Sequence, residues 1–155
     1  MKGNDKIIAS LNKLLAGELG ARDQYFTHAE MYKDWGLTEL HETTHHEMEE
    51  ETAHAARLIQ RILFLEGTPD LGKPAPLNIG KDVPSMLKND LELEYQVVDA
   101  LKEVIALCEA EKDYQTREIL EVLLDDTEED HAYWLEKQLG LIDKIGLENY
   151  LQSKI

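Results

Sequence analysis

Apolar residues recur at intervals of three and four along almost the whole chain, and this spacing restricts the fold more than any other feature. Residues 4–35 carry Ile7, Leu11, Leu14, Leu15, Ala21, Tyr25, Ala29 and Tyr32 in that rhythm, until Gly36 breaks it. A second run, 38–66, carries Leu40, Met48, Ala55, Leu58, Ile62 and Leu65, and Gly67 stops it. The third, 84–111, opens on Pro84, a favoured first-turn residue, and carries Leu87, Leu91, Val98, Leu101 and Ile105. The fourth, 114–144, carries Leu120, Leu124, Leu135, Leu139 and Ile142. After Gly146 the tail LENYLQSKI predicts a short fifth helix. Between the second and third runs GTPDLGKPAPLNIGKDVP shows no period, which predicts a crossover. With four prolines and 6% aromatic residues, a β-sandwich or barrel is excluded.

Loop lengths set the topology. The turns near 36 and 112 are short, so helices one and two are antiparallel neighbours, as are three and four. A crossover of this length reaches roughly 50 Å when extended. That exceeds a 28-residue helix, roughly 42 Å long. The expectation is an all-α single domain, 1–155, built as a four-helix bundle of the ferritin-like type with one long crossover.

Charge narrows the function. The chain has 32 acidic against 16 basic residues, a formal net charge of −16. Such a surface repels nucleic acid and anionic membranes and attracts cations. No apolar run approaches the roughly 20 residues of a membrane span, and the N-terminus is interrupted by Lys13 and Glu18 rather than patterned as a signal peptide. Cys108 is the sole cysteine, so neither a disulfide nor a zinc framework is expected, and it is read as a small core residue. A reducing cytoplasm is the expected location.

Two Glu-x-x-His pairs carry the chemistry: Glu51 with His54, and Glu128 with His131. At i, i+3 a carboxylate and an imidazole leave one helix face together and can hold one ion. Glu42 with His45 is a third instance and an internal control. It lies nine residues before Glu51, about 900° of rotation, which places it on the opposite face. Glu51 and Glu128 are expected inside the apolar stripes of their helices, as are Glu18 and Glu94 in theirs. The levels also match. About the first turn, Glu18 and His54 each lie 18 residues from residue 36; about the second, Glu94 is 18 before residue 112 and His131 is 19 after. Six side chains therefore converge on one layer. Four buried carboxylates repel one another and demand positive charge. Arg22, one turn after Glu18, serves one carboxylate at most. Two divalent or trivalent ions satisfy the set, and carboxylate oxygens with imidazole nitrogens suit iron or manganese.

At these residues the chain resembles the bacterioferritins. GELGARDQYF around Glu18, RILFLEGTP closing the second helix, and the ending EKQLGLIDKIGLENYLQSKI carry the likeness through the chain's length. The resemblance implies a ferroxidase that oxidises Fe(II) with O2 or H2O2 at two iron ions per subunit and stores the mineral inside a 24-subunit cage. It implies Glu18, Glu51, His54, Glu94, Glu128 and His131 as ligands, with Glu51 and Glu128 bridging. Tyr25, two turns from Glu18, would hydrogen-bond near the iron or supply an electron. His46 and Glu50 would form an inner-surface iron site, and Asp34 and Glu66 would line an entry pore. A ferredoxin would serve iron release. In one place the chain departs from the family: the haem-ligating methionine beside the second-helix glutamate is Thr52. A hydroxyl does not replace a thioether, so no haem b is expected. Met31 and Met48 are read as packing residues. Both a homo-oligomer and a mixed cage with a haem-binding subunit fit. The alternatives are a soluble di-metal oxidase or catalase-like bundle that stores nothing, and a metal-binding structural subunit.

Overall fold

The computed structural model describes residues 1–72 and 76–155; the part of the expected crossover at 73–75 lies outside the described residues. Helix α1 spans Asp5–Asp34, α2 Thr38–Phe64 and α3 Val83–Ala110. The fourth long stretch is composite: α4, Tyr114–Asp125, runs through a π-helical segment, Asp126–Ala132, into α5, Tyr133–Ile145. A short α6, Leu147–Gln152, follows. The described residues contain no strand.

Local chemistry sets the helix ends. Asn4 caps α1, its side-chain oxygen accepting from the Lys6 and Ile7 amides at 2.8 and 3.3 Å. Asp82 and Ser85 form a reciprocal capping box at the start of α3, with Pro84 in the first turn. Asp113 caps α4 by accepting from the Thr116 amide at 3.1 Å. The turn after α1 needs a left-handed residue, which Gly36 supplies at φ 75°.

The core is divided in two. Ile7, Leu11, Leu15, Leu58, Ile62, Leu101, Cys108 and Leu120 fill one end of the bundle. Tyr32, Leu40, Met86, Leu87, Leu135 and Tyr150 fill the other. Glu18, Glu51, Glu94 and His131, all buried, lie between them in sequence along their helices. The apolar ends hold the bundle, and burial at about 25 cal/mol per Å² is what offsets a charged middle.

The crossover is fastened to α1 at both ends. Asn12 donates to the Thr68 carbonyl at 3.1 Å and accepts from the Asp70 amide at 2.8 Å. Farther along, the Asn78 amide donates to Gln24 Oε1 and the Gly80 amide to His28 Nε2, each at 3.1 Å. Gly80 is required there, since a Cβ would lie 2.5 Å from the Met86 nitrogen. Gln24 and His28 in turn meet the buried Asp90 of α3 at 2.8 and 2.9 Å.

The tail packs on its own bundle. Tyr150 is fully buried in the second cluster and donates to Gln138 Oε1 at 2.7 Å, while Lys154 pairs with Glu39 at 3.0 Å.

Candidate metal centre

Four helices deliver side chains to the polar layer. α1 supplies Glu18, α2 supplies Glu51 and His54 from one face, α3 supplies Glu94, and the π segment supplies His131. Two triads have donor atoms within 4.8 Å of one another: Glu18, Glu51 and His54, and Glu51, Glu94 and His131. Glu51 belongs to both, which suits a carboxylate shared by two ions. His54 Nδ1 lies 3.7 Å from Glu18 Oε2 and 3.8 Å from Glu51 Oε2. His131 Nδ1 lies 2.8 Å from Glu51 Oε1 and 3.6 Å from Glu94 Oε1. The two imidazoles stack at 5.8 Å and 17°.

These atoms lack partners. Both carboxylate oxygens of Glu18 and of Glu51, one of Glu94, and the Nδ1 atoms of His54 and His131 are buried with no hydrogen bond. Orphaned buried polar atoms each cost on the order of 1–3 kcal/mol, and native proteins rarely tolerate several together. Oxygen and imidazole donors converging this way could hold metal ions and fit the donor chemistry of a di-metal carboxylate centre.

Electrostatics say the same. Burial, reinforced by the neighbouring Glu51, holds the Glu18 carboxyl well above its ordinary range. Burial also raises Glu94, against the opposing pull of His131 and Tyr25. Glu51 is likewise penalised by burial, but the neighbouring Glu18, His131 and His54 outweigh it and lower the group. Burial would depress His54, yet Glu18 and Glu51 push it up to about 11. Glu47, Glu51 and Glu94 raise His131 in the same way. The metal-free layer thus balances itself with protons that cations would displace.

The imidazoles are held from behind. His54 Nε2 meets Asp126 at 3.0 Å. His131 Nε2 meets Glu50 at 2.6 Å and also Glu47. Carboxylate–histidine pairs of this kind fix ring orientation and raise ligand basicity. Tyr25, buried, donates a short hydrogen bond to Glu94. Glu50 also contacts His46 Nε2 at 2.8 Å, while the His46 side chain is 63% exposed.

Glu128 is not where the helical period places it. Its side chain is 40% exposed and its Oε1 lies 3.2 Å from Lys102 Nζ, outside both triads. The cause is the π segment, whose i→i+5 ladder advances fewer degrees per residue than an α-helix. Buried Thr127 occupies the inward position instead, its hydroxyl donating to the Leu123 carbonyl at 2.7 Å. Arg22 pairs with Asp23 at 3.0 Å rather than with Glu18.

The control pair is off the site: Glu42 is exposed, and half-exposed His45 contacts Glu49 at 3.2 Å. Thr52 is exposed and donates to the Met48 carbonyl at 2.9 Å. Met31 packs on the second apolar cluster. Asp34 and Glu66 are exposed, at the C-terminal ends of antiparallel helices.

The sequence reading passed over Glu47, Asp126 and the Gln24–His28–Asp90 group. Glu47 is one turn before Glu51, His28 one turn after Tyr25 and Asp90 one turn before Glu94, so helical spacing did carry those signals. Asp126 had none, because it opens the irregular π segment, where the α-helical period no longer holds.

Comparisons with known proteins agree with this geometry. A ferritin-like domain profile matches residues 8–145. A bacterial ferritin of Synechocystis sp. is 62% identical over 155 residues, covering 100% of this chain and 99% of the relative. One from Pseudomonas aeruginosa is 59% identical over the full length of both chains. A bacterioferritin of Brucella melitensis is 43% identical over 152 residues, 98% of this chain and 94% of the relative. On profile and full-length relatives together, this chain belongs to the ferritin-like family.

Proposed function

We propose that the protein is a ferroxidase and iron store, oxidising Fe(II) at the buried layer and keeping Fe(III) mineral inside an assembly of twenty-four chains. The observation that carries this reading is the set of unpartnered donor atoms on Glu18, Glu51, Glu94, His54 and His131. Iron is the substrate. Glu18, Glu51 and His54 bind one Fe(II), and Glu51, Glu94 and His131 the other, with two ions per subunit. Glu128 joins as the second bridge by leaving Lys102 and turning inward. Asp126 behind His54 and Glu47 behind His131 hold the rings, and the imidazoles release their protons as metal binds. Tyr25 orients Glu94 through its hydroxyl. Two Fe(II) ions lose one electron each. The pair reduces O2 with two protons to H2O2, or H2O2 with two protons to two waters.

Assembly has support in the lone chain, which leaves Phe26, Leu71, Ile79, Tyr133, Leu141 and Ile145 exposed. Among the described residues no helix is long and apolar enough to cross a membrane. A cytoplasmic site of action fits, and so does release of iron by a ferredoxin. His46 and Glu50 would receive iron on the cavity side. With Thr52 at the expected methionine position the reading excludes bound haem from a homo-oligomer.

Replacing Glu128 and His131 together by Ala is expected to abolish rapid Fe(II) oxidation in stopped flow while helicity persists. An unchanged initial rate overturns the site. Native mass separates the store from a non-storing oxidase: a particle of twenty-four chains supports storage, a dimer the alternative.

A further inference from the structure

A cavity of about 210 Å³ opens between α1 and α3 beneath the crossover. Its walls are Leu14, Gly17, Leu77, Leu93, Val97 and Ala100. Buried Glu18, whose carboxylate oxygens have no partner, belongs to the same lining. Among the described residues the other lining groups are uncharged or cationic, Lys13 among them, and Glu18 is the one carboxylate. The opposite approach to the layer differs in kind. There Glu47, Glu50 and Asp130 gather on His131, a cluster that attracts cations. A cavity walled by aliphatic side chains and carrying a lysine repels Fe(II), whereas a small apolar gas partitions into it.

We propose that this cavity is the port by which dioxygen reaches the buried layer, separate from the acidic route of the iron. The inference rests on the ferroxidase reading. Gly17 is the position that keeps the port open. A Cβ added there meets nothing within 4 Å. Its φ lies outside the left-handed region, so a larger residue is not strained and gains helix propensity.

The test combines a metal-free and a kinetic arm, on wild type, Gly17→Leu and, from the facing wall, Ala100→Leu. Metal-free crystals pressurised with xenon are expected to show xenon in the wild-type cavity and none in Gly17→Leu. In stopped flow, kcat/KM for dioxygen is expected to fall about tenfold in the plugged variants while kcat at saturating oxygen holds. Anaerobic Fe(II) stoichiometry is expected to stay at the wild-type value. An empty wild-type cavity under xenon overturns the port, as does an unchanged oxygen dependence in Gly17→Leu once xenon is excluded. Should wild type bind no Fe(II), the ferroxidase reading fails first and takes the port with it. If Ala100→Leu misfolds, Gly17→Leu still decides the question.

Discussion

Glu18→Gln tests the crowded layer most directly. In the metal-free protein Glu18 is held above its ordinary range by burial and by Glu51, while Glu51 is lowered. The two carboxyls behave as a pair sharing a proton that stays with the folded state. The unfolded chain loses that proton through its ordinary carboxylate pKa, near 4.5. Because the folded pKa is raised, the contribution is complete below that value and lost as pH rises, at about 1.4 kcal/mol per pH unit for each proton retained. Gln keeps the volume and can donate to ionised Glu51, yet carries no proton to be titrated. As pH rises above 5 the metal-free variant is therefore expected to gain on wild type, by up to about 1.4 kcal/mol per pH unit. Urea unfolding followed by circular dichroism, with chelator present and chain concentration fixed, reads this difference. Parallel pH profiles for the two proteins would refute the shared proton. Adding metal should reverse the order, because the variant has lost a ligand.

Zn(II), which is redox-inert, is expected to raise the melting temperature of wild type by binding only the folded state, and to raise that of Glu51→Ala far less; equal shifts in calorimetry would place the ions elsewhere. Glu42→Ala with His45→Ala should leave the initial rate of Fe(II) oxidation at the wild-type value, and a large loss would mean that the helix phase is wrong. Homo-oligomer expressed with ample haem should show no stoichiometric Soret band, whereas Thr52→Met should bind haem; a stoichiometric band in the wild type would show that another methionine ligates it.

The helices were legible because each needs only one apolar stripe, and the stripe is written in the spacing of leucines. The crossover and the tail followed from prolines and glycines. The converging layer was legible because Glu18, Glu51 and Glu94 interrupt stripes that are otherwise apolar. The phase of Glu128 was not. Asp125 to Asp130 is an acidic run around a single Thr, with no apolar residue to mark a face, so one extra residue in the ladder left no trace in the pattern. The expected period ran straight through it and selected Glu128, whereas the buried stripe passes through Leu123, Thr127 and His131. Asp126 was lost in the same irregular segment, whereas Glu47 stood at helical spacing before Glu51 and yet was not singled out by it. In a chain with 32 acidic residues, an acid beside a histidine is common and its partner is fixed only by tertiary packing.

The fastening of the crossover bears on how the two halves depend on covalent connection. Asn12 holds the chain at Thr68 and Asp70, and Gln24 and His28 hold it again at Asn78 and Gly80. A protease cut between these two anchor pairs creates new ends that both remain tethered to α1. The α1–α2 half and the α3-to-α6 half also share the divided core and the ligand layer, so such a nick should leave the subunit intact in size-exclusion chromatography. By the same logic the halves should complement when produced as separate polypeptides, with metal lowering the concentration at which they find each other. The long connection is then a matter of effective concentration during folding more than of holding the finished subunit together.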